Sequence, residues 1–159
     1  MFDHAINVSK FNVGYGDMLL ADIEADQFAH QPRPGMNTPA WIVGHLAFVA
    51  DCVASMLGAE AQHADWKPLF GNSSALQDAE AYPDRQTLID AWHAAQDRLA
   101  QAVASADPAA FEGENPVARM KAVAPSMKDF VTFVLTSHAA VHLGQLSSWR
   151  RAMGKPALF

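Results

Sequence analysis

The sequence predicts an all-α protein: a four-helix bundle in which two of the connections between helices are long. Four long segments repeat apolar residues at the spacing of amphipathic helices. Prolines and glycines separate these segments, and no stretch alternates apolar and polar residues strongly enough for a sheet. The 159 residues are the size of one domain, so we expect a single domain over residues 1–159.

The first two helices are separated by a turn that no helix could cross. Apolar periodicity predicts the first helix over residues 7–29, and the segment 31–35, which contains two prolines and a glycine, follows it. The second helix begins where Thr38 can cap it and Pro39 suits the first helical position. It ends near Gly58, a residue type that commonly ends helices.

The third and fourth helices each follow a long connection, and each begins with a recognisable cap. Residues 59–83 and 107–125 are rich in turn-forming residues, and we expect the first connection to travel over the mouth of a site. The third helix has Asp84 or Thr87 near its cap and an apolar stripe along its length. The last helix spans residues 126–153 and opens with a capping-box-like arrangement.

Composition limits the possible partners and compartment. The net charge of −6 gives no basic footprint for nucleic acid. A single cysteine, Cys52, excludes an intramolecular disulfide framework, and the N-terminus has no signal-peptide pattern, so we expect a cytoplasmic protein.

Residues 130–149 contain no charged side chain and would nearly span a bilayer. Their many Ser, Thr, His and Gln residues favour instead the central helix of a bundle with no membrane contact.

Three histidines form the candidate site. His138 and His142 are four residues apart on the last predicted helix and therefore share one face, while His45 lies in the middle of the second helix. We predict that these three bind one divalent metal ion, because neutral imidazole is a good ligand for zinc, nickel, iron and copper. Three protein ligands leave coordination positions open for a water, a thiolate or a substrate carbonyl. Gln145 could support one ligand or point at the open position.

Other interpretations of these residues stay open. Paired histidines on an apolar helix are also compatible with hydrogen-bonded core groups, and the pair lacks the glutamate of the HExxH zinc motif. His93 on the third helix is either an additional site residue or a rim histidine. Cys52 lies two helical turns from His45, about 10 Å along the axis, so an inert buried cysteine is favoured over a fourth ligand.

Several local motifs together indicate a known family. They are Asn37-Thr38-Pro39-Ala40-Trp41-Ile42 after the proline- and glycine-bearing turn, Gly44-His45-Leu46, His138-x-x-x-His142-x-Gly144-Gln145-Leu146, and the ending Trp149-Arg150-Arg151-Ala152-Met153-Gly154-Lys155-Pro156. Each motif alone is weak. In combination they resemble the DinB superfamily of DinB-like or YfiT-like metalloenzymes, over nearly the whole chain.

The resemblance implies a four-helix bundle, often dimeric, with a zinc or nickel ion held by a triad that corresponds here to His45, His138 and His142. Characterised relatives include thiol transferases and a thiol-dependent isomerase that use a low-molecular-weight thiol such as bacillithiol or mycothiol. We therefore expect a homodimeric, metal-dependent transferase acting on a small electrophile. The alternatives are a metal-dependent hydrolase of a small molecule, a non-catalytic metal- or ligand-binding bundle, and a helical interaction module without metal.

Overall fold

Four helical rods build the bundle, as the sequence predicts. In the computed structural model, which describes residues 1–158, the rods are α1 (Asp3–Leu20), α2 (Pro39–Met56), α4 (Arg85–Ser105) and a last rod made of α5 (Met127–Phe133) and α6 (Ala139–Ala152). A one-turn helix, α3 (Lys67–Phe70), lies in the connection between α2 and α4. No β-strand occurs within residues 1–158. The all-α, four-helix prediction is confirmed.

The core lies between two helix pairs. α2 packs along α4, and α1 packs against α6 and the turn that precedes it. Trp92 and Trp149 are fully buried at the centre, together with leucines from every rod. Among the described residues, only α2 is long and apolar enough to cross a membrane, and 72% of it is buried inside the bundle. Such burial is typical of the core helix of a helical bundle.

Local capping explains where the helices begin. The hydroxyl of Thr38 accepts a hydrogen bond from the Trp41 amide at the start of α2, and Asp84 does the same for α4. Ser126 and Asp129 form a complete capping box at the start of α5. These contacts join residues three apart in the chain, and the predicted starts of these three helices are confirmed.

The first helix begins at Asp3 instead of Asn7 and ends at Leu20 instead of Ala29, so it is shorter than predicted. Its last carbonyl groups are satisfied from distant helices: Arg85 donates to the carbonyl of Leu20 at 3.0 Å, and Arg150 donates to that of Leu19 at 2.7 Å. Helix ends need partners for their last carbonyl groups, and here tertiary contacts supply them. The apolar side chains of Ile23 and Phe28 beyond Leu20 therefore pack into the core from a mostly exposed loop, which contains a short 3-10 helix (Ala25–Gln27).

The sequence predicts one continuous last helix over residues 126–153, but the last rod is interrupted. A π turn over Val134–His138 separates α5 from α6. The buried side-chain amide of Asn12 in α1 donates to the carbonyl of Thr136 in this turn at 3.1 Å. Because one inserted residue rotates all that follows by about 100° around the helix axis, the π turn sets which face α6 presents to α2. Such turns are frequent at functional sites.

Two buried polar side chains hold the long connections in place. Asp51 on α2 accepts hydrogen bonds from the backbone amides of Gln62 and His63, both at 2.9 Å. Asn115 is fully buried; it donates to the carbonyl of Ala124 and accepts from the amide of Val117, both at 2.8 Å. These hydrogen bonds hold the backbone of both connections in place.

Candidate metal centre

Three imidazole rings from α2 and the last rod converge on one point. One ligand nitrogen from each of His45, His138 and His142 lies within 4.8 Å of the other two. Nε2 of His45 is 3.1 Å from Nε2 of His138. Two nitrogens each about 2.1 Å from a single ion and at right angles to each other would be about 3.0 Å apart. The observed separation therefore suits two ligands of the same ion.

Burial keeps these histidines neutral. The exposed fraction is 4% for His45 and 9% for His142, and His138 is half-buried. Burial lowers the pKa of all three, and for His138 and His142 repulsion from a neighbouring charged imidazole adds to the effect. The pKa of His138 falls to about 2 and that of His142 to about 4. At neutral pH each ring therefore has a nitrogen lone pair available for a metal ion.

His45 is oriented by a backbone carbonyl on the far side of its ring. Nδ1 of His45 is 2.7 Å from the carbonyl oxygen of Phe70, at the end of α3. Since a carbonyl can only accept, Nδ1 carries the proton and Nε2 is left unprotonated, facing the other histidines. The ring of Trp41 stacks on His45 with 4.6 Å between centroids and 9° between planes. Both contacts fix the plane of the imidazole.

The approach of α3 to α2 depends on a glycine next to His45. A Cβ atom built on Gly44 would lie 2.2 Å from the ring of Phe70. No side chain fits in that space, so Gly44 allows the Phe70 ring to pack directly on the α2 backbone. This packing places the Phe70 carbonyl within reach of His45.

Gln145 lies behind His142, one turn further along α6. Its Oε1 is 3.1 Å from Nδ1 of His142 and also accepts a hydrogen bond from Nδ2 of Asn37 at 3.1 Å. The proton of His142 is thereby directed to Nδ1, which leaves Nε2 free to face the cluster. Of the two roles considered from the sequence, the geometry matches support of a ligand.

A cavity of about 540 Å³ opens beside the three histidines. Its volume lies within the range of about 300–1,000 Å³ found for small-molecule sites. The walls are mainly apolar and come from α2 and the last rod, including Trp41, Phe48, Val49, Phe130 and Phe133. Residues of both long connections complete the lining. The first connection thus reaches the mouth of the cavity, as expected, and the second does so too.

The other two candidates from the sequence lie outside the cluster. His93 pairs with Asp17 at 2.8 Å on the outside of the bundle. Cys52 is half-buried in the cavity wall but is not among the groups that converge. Burial raises the pKa of its thiol, which therefore stays protonated at neutral pH. Neither residue contributes to the convergence of the three histidines.

Sequence reasoning missed three supporting groups. Asn37 belongs to a motif that the sequence singled out, but nothing local links it to Gln145, 108 positions away. The carbonyl of Phe70 and the side chain of Asn12 carry no signal in the sequence that marks them as supporting groups. Each acts across the bundle, so only the folded arrangement reveals them.

This arrangement can hold a divalent ion. Three neutral imidazoles, two of them with the second ring nitrogen already bonded to an oxygen acceptor, are the donor set typical of an open metal site. The short nitrogen–nitrogen distance between His45 and His138 also requires either a proton or a cation between the rings. The open coordination positions would face the apolar cavity.

Comparison with known proteins adds a family to this geometry. No curated protein is similar enough to the chain to count as a match. The family model described as DinB superfamily matches residues 17–146, a range that contains all three histidines and Gln145. The match covers well over half of the sequence and agrees with the helical bundle. The chain belongs to the DinB superfamily.

Proposed function

We propose that this protein is a metal-dependent enzyme that transfers a low-molecular-weight thiol to a small electrophile. In this proposal His45, His138 and His142 bind one zinc or nickel ion. The observation that supports it most directly is the convergence of three neutral, oriented imidazoles at a cavity large enough for a small molecule. The family membership is consistent with such a site.

The ion would lower the pKa of a bound thiol and hold it as the more nucleophilic thiolate. The protein's own part is to orient the ligands and to exclude water. Phe70 and Gln145 fix two of the imidazoles from behind, while the apolar walls keep the reacting groups away from solvent. In the overall reaction the thiol proton passes to water and a carbon–sulfur bond forms. The leaving group departs with the electron pair of the bond that breaks.

Thiol transfer is favoured over hydrolysis by the residues around the cavity. No Asp or Glu lies among the described residues that line it. Hydrolysis at a metal site usually benefits from a carboxylate that accepts a proton from water, whereas a thiolate that has already lost its proton needs no such base. Hydrolysis by metal-bound water is the second candidate, and a non-catalytic metal-binding bundle is the third.

A homodimer in the cytoplasm completes the proposal. Large apolar side chains are exposed on α1 and α6, which pack side by side. Phe11 is 67% exposed and Val141 is 59% exposed, with Val8 and Met18 also on the surface. An exposed apolar face of this kind suits an interface between two copies. The free thiol of Cys52 suits a reducing compartment.

Metal content is the decisive first experiment. Protein purified without a histidine tag should contain about one equivalent of zinc or nickel, because the cluster is a single site. His45→Ala and His138→Ala should both lose the metal, whereas His93→Ala, a histidine outside the cluster, should retain it. A parent protein that is metal-free and cannot be loaded with either ion would refute the site.

Turnover then separates the candidate functions. The loaded protein should consume an electrophile such as 1-chloro-2,4-dinitrobenzene only when a thiol is added, and a chelator should abolish the reaction. Bacillithiol, mycothiol and cysteine are suitable thiols. Metal-dependent turnover of ester substrates without thiol would favour the hydrolase instead. A stoichiometric metal with no turnover in either assay would favour the binding bundle.

A further inference from the structure

The cavity beside the histidines has a charge opposite to that of the protein as a whole. Lys67, at the start of α3, and Arg119, in the second long connection, both line it. No acidic side chain is found among its described lining residues. The chain nevertheless has 17 acidic and 11 basic residues and a net charge of −6. Each of the two long connections thus brings one cation to the same cavity.

Neither cation is neutralised by the protein itself. Lys67 and Arg119 are exposed, and neither has a side-chain hydrogen bond or an ion pair among the described residues. The acidic residue nearest to Lys67 along the chain, Asp65, forms no ion pair with it and does not line the cavity. Two other acidic groups on the neighbouring segments have partners of their own. Asp51 is buried and binds Arg98 at 2.8 Å, and Glu114 binds Lys121 at 2.6 Å. The positive charge at the cavity is therefore available to a ligand.

Hydrogen bonds hold the backbone segments that carry Arg119 and Lys67. Asn115 fixes the loop that carries Arg119. For Lys67, the indole of Trp41 donates to Ser74 at 2.8 Å, and Ser74 in turn donates to the carbonyl of Leu69 at 2.8 Å. These bonds tie the segment around α3 to α2. Because the backbone that carries each cation is already held in place, only the side chain has to become ordered when an anion binds.

We propose that the substrate of this site is an amphiphilic carboxylate, with an apolar body and one anionic end. The apolar body packs against aromatic walls such as Phe48 and Phe133, and the carboxylate pairs with Arg119 and Lys67. The remaining end of the molecule then faces the histidine cluster. This inference rests on the proposed function and names the chemical class of its electrophile. Arginine and lysine both form charge-assisted hydrogen bonds to carboxylates.

A pair of matched probes tests the inference by calorimetry. The probes are 4-phenylbutyrate and 4-phenylbutyramide, which share the apolar body and differ in charge. The zinc-loaded protein should bind the carboxylate about tenfold more tightly than the amide, the size expected for a charge-assisted hydrogen bond. This preference should shrink as ionic strength rises, because salt screens exposed charges.

Variants locate the preference within the cavity. Arg119→Gln and Lys67→Gln should each reduce the preference for the carboxylate and leave binding of the amide unchanged. Arg151→Gln and Lys128→Gln remove the same charge from exposed positions that do not line the cavity, so both should keep the preference. Circular dichroism spectra of the four variants should match that of the parent, which checks that all of them fold alike.

A carboxylate can also coordinate a metal ion, and His138→Ala separates that possibility from the inference. In this metal-free variant the preference for the carboxylate should persist, because the two cations remain. A preference that disappears in His138→Ala but survives in both Arg119→Gln and Lys67→Gln would overturn the inference. That result would not contradict the proposed metal site. Equal binding of the two probes, or no binding of either one to the loaded parent, would overturn it as well. The metal content measured beforehand shows independently whether the proposed site exists.

Discussion

Replacing Gly44 by alanine tests whether the packing of Phe70 on α2 positions His45. The new Cβ would lie 2.2 Å from Cε1 of Phe70 and 2.5 Å from two further ring atoms. Ordinary contact begins near 3.4 Å, so the ring must retreat by about 1.2 Å. Phe70 is fully buried between Trp66 and Tyr82, with ring centroids 5.1 and 5.6 Å away. The ring therefore has no free space to rotate into.

Two opposing effects set the change in stability. Overpacking of this kind costs about 1–3 kcal/mol, whereas replacing glycine by alanine in a helix gains up to about 1 kcal/mol. We expect a net loss of about 0–2 kcal/mol in the free energy of unfolding. The effect on the site should be larger. If the Phe70 backbone moves with its ring, the 2.7 Å bond to His45 lengthens to about 3.9 Å, beyond hydrogen-bond range. Loss of such a partner lowers metal affinity about 10–100-fold.

The assay is zinc affinity measured by competition with a chromogenic chelator, together with unfolding in urea. Gly144→Ala is the matched control, because it makes the same change in a helix near His142 and its added Cβ meets nothing within 4 Å. The control should keep its zinc affinity and gain up to about 1 kcal/mol in stability. If Gly44→Ala binds zinc as tightly as Gly144→Ala and unfolds at the same urea concentration, the argument for Phe70 is wrong.

Four further predictions concern the same site. Gln145→Ala should lower zinc affinity about tenfold in the chelator assay, because His142 loses its hydrogen-bond acceptor. Asn37→Ala acts only through Gln145 and should lower zinc affinity less. A larger loss of affinity in Asn37→Ala than in Gln145→Ala would contradict this arrangement. The pKa values of His138 and His142, about 2 and about 4, lie far below the ordinary value for histidine. Zinc affinity should therefore change little between about pH 7 and 5.5, where ordinary histidines would become protonated. The same histidines should make the stability of the metal-free protein depend on pH. Its free energy of unfolding in urea should fall as the pH falls from about 6.5 to about 4, because these histidines take up protons there only in the unfolded chain. A free energy of unfolding that stays constant over that range would show that the burial argument is wrong. Finally, Cys52→Ser should retain the full metal content measured by atomic emission, since this thiol lies outside the cluster; loss of the metal would make Cys52 a ligand.

The starts of the second, third and last predicted helices depended on local chemistry, and the sequence was sufficient to find them. Thr38, Asp84 and Ser126 cap helices through contacts with residues three positions away. The end of α1 was predicted nine residues too late, because the side chains that satisfy its last carbonyls belong to Arg85 and Arg150. The π turn was missed for a similar reason, since one of its carbonyls is bonded by Asn12 of another helix.

The sequence by itself determined the helical bundle and the residues of the candidate cluster. A four-residue spacing places His138 and His142 on one face, and the isolated His45 in an apolar helix was the natural third member. Only the tertiary structure decided which ring nitrogen of His45 and His142 faces the cluster and which charges surround the cavity. The physical reason is that a backbone carbonyl such as that of Phe70 looks the same at every position in a sequence. It gains a role in orienting His45 only when Gly44 lets α3 approach within 2.7 Å of the imidazole.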